Sequence, residues 1–102
     1  MVNAKHRAYA DALEAEKARL FQLADAELRS LPDYSAVQST ADGQPFTIAL
    51  WHDHHTDGFD VFVAQAKHDI ALGIGRMFVR GFILRADGSR DGLPDDVFYE
   101  YA

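Results

Sequence analysis

The sequence predicts an α+β fold: a long N-terminal helix packed on an antiparallel, three- to four-stranded meander sheet, with a short C-terminal helix or strand. Residues 3–31 are rich in helix-forming side chains and contain neither glycine nor proline. In the stretch 46–63, two apolar runs flank a short polar loop, which predicts a β-hairpin. A chain of 102 residues is expected to form one domain, 1–102, around a single hydrophobic core.

The helix is predicted to run over residues 3–31. Asn3 is a suitable N-cap, and Pro32 disfavours helical geometry in the residue before it. Apolar side chains recur at helical spacing and predict one buried stripe, made of Tyr9, Leu13, Leu20, Ala24, Leu28 and Leu31. In the first turns, alanines replace the larger side chains, so this end is expected either to fray or to pack against a second copy of the chain.

Three strands are predicted, over residues 45–54, 59–67 and 76–86. The first two form the hairpin, and the loop between them ends in Gly58, where a positive φ is easily adopted. Gly81 interrupts the apolar alternation of the third strand. This interruption predicts either a β-bulge or a close approach of another backbone segment.

The segments that flank these strands are less regular. Residues 33–44 are predicted to be a connector in which Val37 could open a short edge strand. The stretch 93–99 favours a short helix, because Pro94 suits the first helical position and acidic residues suit the first turn. The alternative is a fourth strand that uses Val97, Tyr99 and Tyr101.

The register of the hairpin decides which side chains share a face. If His54 lies opposite Phe59, then Trp51 lies opposite Phe62, and both faces of the hairpin centre are apolar. One helix covers only one face, so the other needs a loop, the C-terminal segment or a partner chain. Trp51 and Phe62 are therefore predicted to anchor a protein interface. The alternative is a register slip or bulge that places Trp51 in the core of the chain itself.

Two arginines are added to this predicted interface. Arg76 and Arg80 should share a face of the third strand with Phe78 and Phe82. Arginines among aromatic side chains suit the recognition of a protein partner. The alternative is that they pair with aspartates of neighbouring strands and protect the sheet edge from aggregation.

Histidines and aspartates cluster at residues 52–57, which read HDHHTD. On a strand, His52 and His54 lie on the same side, and such a pair can share a zinc ion. A third ligand would have to come from the loop, from His55 or Asp57. His52 and His54 are thus candidate metal ligands, while the alternative is a polar hairpin end that binds no metal.

The charge of the chain is uneven. The net charge is −6, the charges of residues 1–32 balance, and residues 86–102 are strongly acidic. Such a surface repels phosphate groups, so we expect no nucleic-acid partner. The acidity either keeps the protein soluble or attracts a basic protein. The chain has no cysteine, which excludes disulfides, thiolate metal sites and a cysteine nucleophile.

No apolar run is long enough to span a membrane, and the first residues lack the apolar segment of a secretory signal. We therefore expect a cytoplasmic protein without a membrane partner. The leading hypothesis is a non-enzymatic interaction module without a cofactor, which self-associates as a homodimer or binds another protein. An acidic inhibitor or immunity-type protein is one form of it. The alternatives are a metal-assisted enzyme that uses the cluster His52–His55, and a binder of a small ligand.

Overall fold

The structure, a computed structural model, describes residues 4–41, 43–71 and 74–102. Asn3, the predicted N-cap, lies outside the described residues. The helices and strands in chain order are α1 (Ala4–Phe21), α2 (Asp25–Arg29), β1 (Tyr34–Ala41), β2 (Gln44–His54), β3 (Asp60–Ala71), β4 (Ile74–Leu84), β5 (Arg90–Gly92) and α3 (Asp95–Tyr101). The predicted α+β class is confirmed.

The strands form one antiparallel sheet in the order β1-β2-β3-β4-β5, so the predicted meander is confirmed. The sheet has five strands, not three to four. The additional long strand is β1, which forms in the predicted connector and pairs with β2 from Tyr34 opposite Trp51 to Ala41 opposite Gln44. Its sequence, YSAVQSTA, mixes β-branched and aromatic residues with small polar ones, which suits a strand at an edge.

The helical segment is interrupted, so the prediction of one helix over 3–31 is wrong in its C-terminal third. The interruption is held by a residue far along the chain. The Arg90 guanidinium donates to the carbonyl oxygens of Phe21 and Leu23 and to the Asp25 carboxylate, the last two at 2.7 Å. The carbonyl groups at the end of a helix lack intrahelical donors, so a cation there stabilises the break.

The two faces of the sheet carry separate hydrophobic clusters. The inner face lies under α1, and its buried residues include Tyr9, Leu13, Leu20, Leu28, Ile48, Leu50, Phe62, Phe78, Phe82 and Leu84. The outer face carries α3, and its buried residues are Phe59, Val61, Val63, Val79, Ile83 and Val97. The predicted helical stripe is largely confirmed, although Ala24 at the interruption is exposed.

The hairpin register differs by one residue from the prediction. His54 lies opposite Asp60, not Phe59, and Trp51 lies opposite Val63, not Phe62. The cause is a shorter loop. The His55 amide donates to the Phe59 carbonyl at 2.9 Å, so Phe59 lies opposite His55 and not opposite His54. Three residues then form the turn, and the last of them, Gly58, takes a φ of 91°. Because side chains alternate, Trp51 and Phe62 lie on opposite faces of the sheet.

The C-terminal segment forms the short helix that the sequence favoured, and the alternative of a fourth strand is wrong. Helix α3 buries Val97 against the outer face. Its last turn is fixed to the sheet, because the Gln65 amide donates to the Tyr101 carbonyl at 2.5 Å and the Tyr101 hydroxyl donates to the Asp53 carboxylate. The C-terminal segment therefore covers the β3–β4 part of the outer face.

Gly81 allows the backbone of β3 and the Leu93 side chain to approach β4 closely. A Cβ atom at this position would lie 2.3 Å from the Phe62 carbonyl oxygen and 3.0 Å from Leu93 Cδ1. The strand pairing passes regularly through Gly81, and the one register shift between β3 and β4 lies near Asp69 and Ala71. Of the two predicted explanations, the close approach is therefore the correct one.

We predict that Gly81→Ala lowers the free energy of unfolding by about 2–3 kcal/mol, because the added methyl group overlaps backbone atoms that cannot move freely. The matched control is Gly92→Ala, where an added Cβ has no neighbour within 4 Å. The control should change stability by less than about 0.5 kcal/mol. Urea unfolding followed by circular dichroism measures both, and equal effects of the two substitutions would contradict the described packing.

Candidate functional site

Phe62, one of the two predicted interface anchors, lies in the inner core. It is 1% exposed, and its ring stacks between those of Phe82 and His52, with centroid distances of 5.4 and 4.5 Å. A partner cannot reach it without unfolding the sheet. The one-residue difference in register therefore places Phe62 in the inner core and not on the outer face beside Trp51.

Trp51, the other predicted anchor, lies on the outer face and is half-buried. Its indole N–H donates to Gln65 Oε1 at 3.0 Å. Its ring lies 4.7 Å from that of Tyr34, which is 51% exposed and belongs to the edge strand. The aromatic pair on the outer face is thus Tyr34 and Trp51. Tyr34 was not predicted as part of this pair, because its small polar neighbours are typical of a connector.

Helix α3 leaves the β1–β2 part of the outer face uncovered. Alternate residues of β1 are exposed here, namely Tyr34, Ala36, Gln38 and Thr40, and they lie beside Thr47, Ala49 and Trp51 of β2. We call these seven residues the open patch. It contains no charged side chain. This composition is unusual for the surface of a chain with a net charge of −6.

Strand β1 also has a free edge. The His52 amide donates to the Asp33 carbonyl at 2.9 Å, so odd-numbered residues of β1 direct their backbone groups toward β2. Even-numbered residues therefore direct their N–H and C=O groups away from the sheet. Among the described residues, no strand pairs with this side of β1.

The predicted metal ligands His52 and His54 meet at one carboxylate. His54 Nδ1 lies 2.7 Å from Asp60 Oδ1, and His52 Nε2 lies 3.1 Å from Asp60 Oδ2. Arg29 adds a cation at 3.9 Å from Asp60 Oδ2. Asp60 is buried, whereas the His54 side chain is 73% exposed. Asp60 was not predicted to contact the histidines, because the predicted register placed Phe59 opposite His54.

Both ring nitrogens of His52 contact hydrogen-bond acceptors. Its Nδ1 lies 2.9 Å from the Leu31 carbonyl oxygen, which can only accept, so Nδ1 carries a proton. Its Nε2 faces the Asp60 carboxylate, which also accepts. The His52 ring thus lies between two acceptors, the Leu31 carbonyl and the Asp60 carboxylate. These two contacts join the segment after α2 to the hairpin.

Burial would raise the pKa of the Asp60 carboxyl, but hydrogen bonds from His54 and His52 outweigh it, so the pKa lies below its usual range. The two histidines contact different oxygens of the carboxylate, which orders them around an anion. Within the described part of the chain, no group of three or more His, Asp or Glu side chains is arranged to hold a metal ion.

Arg76 and Arg80 lie on the inner side of β4, at the opposite edge of the sheet from the open patch. Arg80 Nε lies 2.7 Å from Glu14 Oε1 of α1, and its Nη1 donates to the Val79 carbonyl at 2.8 Å. The Arg76 guanidinium lies 5.3 Å from the centre of the Phe78 ring. The structure thus does not bring the four predicted interface residues together on one surface.

The acidic segment 86–102 is partly neutralised by internal contacts. Asp91 pairs with Arg85 at 2.8 Å, and the Asp87 carboxylate accepts two bonds from Ser89. The acids at the start of α3, Asp95 and Asp96, are exposed and favourably placed for the helix dipole. A basic partner for this segment stays a prediction.

Comparison with known proteins gives no further indication of function. No protein-family model matches the chain, and no curated protein and no solved structure matches it either. Among the described helices, none is both long and apolar enough to cross a membrane.

We predict that Asp60→Asn lowers the free energy of unfolding by about 2 kcal/mol at neutral pH, since an amide has only one oxygen and cannot accept from both histidines as the two carboxylate oxygens do. The folded pKa of Asp60 is depressed, so its stabilising contribution is present above the unfolded pKa of about 3.9 and is lost as the pH falls through the folded pKa. The difference between wild type and Asp60→Asn should therefore shrink on acidification below about pH 4.

Urea unfolding at a series of pH values measures this difference. Asp57→Asn is the matched control for removal of one negative charge, because the Asp57 side chain is 74% exposed in the adjacent loop. A difference for Asp60→Asn that is absent at neutral pH, or that grows on acidification, would contradict the described hydrogen bonds.

Proposed function

We propose that this protein is a non-enzymatic protein-interaction module that self-associates through the free edge of β1. The observation that carries the proposal is an eight-residue edge strand, Tyr34–Ala41, with no charged residue, no proline and no register shift in its pairing with β2. Soluble proteins usually protect such edges with charges, prolines or bulges. An unprotected edge is therefore suited to accept another strand.

The other long edge of the sheet differs in this respect. Where β4 extends beyond β5, it carries Arg76 and Arg80. The Arg80 guanidinium donates a hydrogen bond to the Val79 carbonyl, which is then not free to pair with an added strand. These features hinder the addition of a strand. The contrast supports the β1 edge as the side of the sheet that docks.

A second copy of the chain fits the β1 edge by symmetry. Two β1 strands can pair antiparallel around a two-fold axis at Val37, so that Ala36 of each copy lies opposite Gln38 of the other. The outward backbone groups then satisfy each other. Asp33 of each copy lies opposite Ala41 in this register, so the two Asp33 carboxylates are at opposite ends of the interface.

Charge supports a docking site at this location. Two copies of a chain with a net charge of −6 repel each other at long range, but the open patch brings no charged side chain to the contact. Added salt screens the remaining repulsion, so association should strengthen with ionic strength. Tyr34 lies on the edge strand with Trp51 beside it on β2, and aromatic side chains are enriched in protein interfaces.

The catalytic alternative has less support. A carboxylate orients the exposed His54 ring, as in a general base held by an acid. However, the cavity that includes His52 measures only about 180 Å³ and is lined mainly by apolar side chains. An active site usually combines such a dyad with a larger pocket and further polar groups. We therefore assign the histidines a structural role in the proposed module.

The experiment uses the two substitutions Ala36→Pro and Ala36→Ser. Proline removes the outward N–H of residue 36 and leaves intact the bonds to β2, which use odd-numbered residues. Serine retains the N–H and is the matched control. Sedimentation velocity over a concentration series should show the wild type and Ala36→Ser approaching twice the chain mass of 11.4 kDa, while Ala36→Pro stays a monomer.

Circular dichroism must show that Ala36→Pro is folded. A wild type that is a monomer at every concentration and ionic strength would contradict the proposal. An Ala36→Pro variant that is folded and dimerises like the wild type would also contradict it, because the contact would then not use the β1 edge.

A further inference from the structure

A groove of about 570 Å³ lies between the start of α1 and the edge of β4, far from the β1 edge. His6 and Arg7 border it on the helix side, Arg76 and Arg80 on the strand side, and Phe98 of α3 at one end. Its volume is in the range of binding sites for small molecules.

The charged side chains of this groove are all basic. Arg7, Arg76 and Arg80 line it, and no Asp or Glu is among the described lining residues. Glu14, which does not line the groove, pairs with Arg80: its Oε1 atom lies 2.7 Å from Arg80 Nε. Arg7 and Arg76 have no carboxylate within ion-pair distance among the described side chains. The groove therefore retains positive charge in a chain whose net charge is −6.

Apolar side chains from both faces of the sheet line the groove at the edge of β4. Phe78 of the inner face and Val79 of the outer face are buried, and Met77 is 40% exposed. The guanidinium of Arg76 lies 5.3 Å from the centre of the Phe78 ring, a cation–π contact that orders this cation beside the apolar lining. A ligand that matched both features would combine an anionic group with an apolar body.

The backbone of β4 adds hydrogen-bond donors. The Arg85 amide donates to the Ser89 carbonyl, so odd-numbered residues of β4 direct their backbone groups toward the β5 side. Strand β5 pairs only with Phe82–Leu84. The N–H groups of Met77 and Val79 therefore point away from β3 at the wall of the groove, where an anion could accept from them.

We infer that this groove binds a small amphiphilic anion, with a carboxylate or phosphate head that pairs with Arg7 and Arg76 and an apolar body that packs on Phe78, Met77 and Phe98. The fork of an arginine side chain matches the oxygens of both head groups. The inference does not depend on self-association, because the groove and the β1 edge lie at opposite sides of the sheet.

Isothermal titration with four octyl probes tests this inference: octanoate, octyl phosphate, 1-octanol and octylammonium, all below their aggregation concentrations. At least one of the two anions should bind with one-to-one stoichiometry, and the stronger of them identifies the head group. Octanol and octylammonium should bind at least about tenfold more weakly, because neither carries a negative charge that can form an ion pair with arginine.

The double substitution Arg7→Gln and Arg76→Gln should weaken binding of the anion by about tenfold or more. Both side chains are exposed, so the fold should be retained, which a thermal melt verifies. Lys17→Gln removes a positive charge from α1 outside the groove and should leave the affinity unchanged. Ala36→Pro should also bind as the wild type does, which separates this site from the β1 edge.

Three outcomes would overturn the inference. Neither anion binds, octanol binds as tightly as the anions, or the arginine double variant binds as tightly as Lys17→Gln.

Discussion

The register of β2 against β3 is the constraint on which the rest of the structure depends. With His54 opposite Asp60, the inner face receives Phe62, and the outer face receives Trp51. A shift of one residue would exchange the two faces of one strand. Phe62 would then leave the space under α1, and Asp60 would lose both histidines. The large apolar side chains and the buried carboxylate thus select the same register.

The partners of the Asp60 carboxylate explain why this polar group is tolerated near the end of the inner core. Two histidines and a more distant arginine surround the carboxylate. His52 in turn donates to the Leu31 carbonyl, which ties the chain after α2 to the hairpin. Removal of one partner would leave a buried charge without compensation, which is costly. We therefore regard the cluster that the sequence presented as a metal site as a structural element of the hairpin.

Local patterns in the sequence were sufficient for much of the fold. Helical spacing located α1, apolar alternation located β2, β3 and β4, and Pro94 with its acidic neighbours located α3. Long-range contacts decided what remained. The break after Phe21 depends on Arg90, which contacts Leu23 across 67 positions of sequence. The hairpin register depends on how its loop closes. Neither leaves a periodic signal in the sequence.

The candidate surfaces were predictable to a lesser degree. Trp51, Arg76 and Arg80 were identified by residue type, but the structure separates them into the open patch and the opposite edge of the sheet. Tyr34 was missed because a strand of small polar residues resembles a connector. The two long edges of the sheet differ in charge: the edge of β1 has no charged side chain, and the edge of β4 carries Arg76 and Arg80. This difference is why we assign a protein partner to the first edge and a small anion to the second.

The most direct test of this account is the register itself, by nuclear Overhauser measurements on the wild-type protein. His52 and Phe62 form a non-hydrogen-bonded pair, in which the two Cα atoms are about 4.5 Å apart and their α-protons face each other. We expect a strong Hα–Hα contact between His52 and Phe62 and another between Leu50 and Ala64. Strong contacts of His52 with Val61, in place of Phe62, would contradict it.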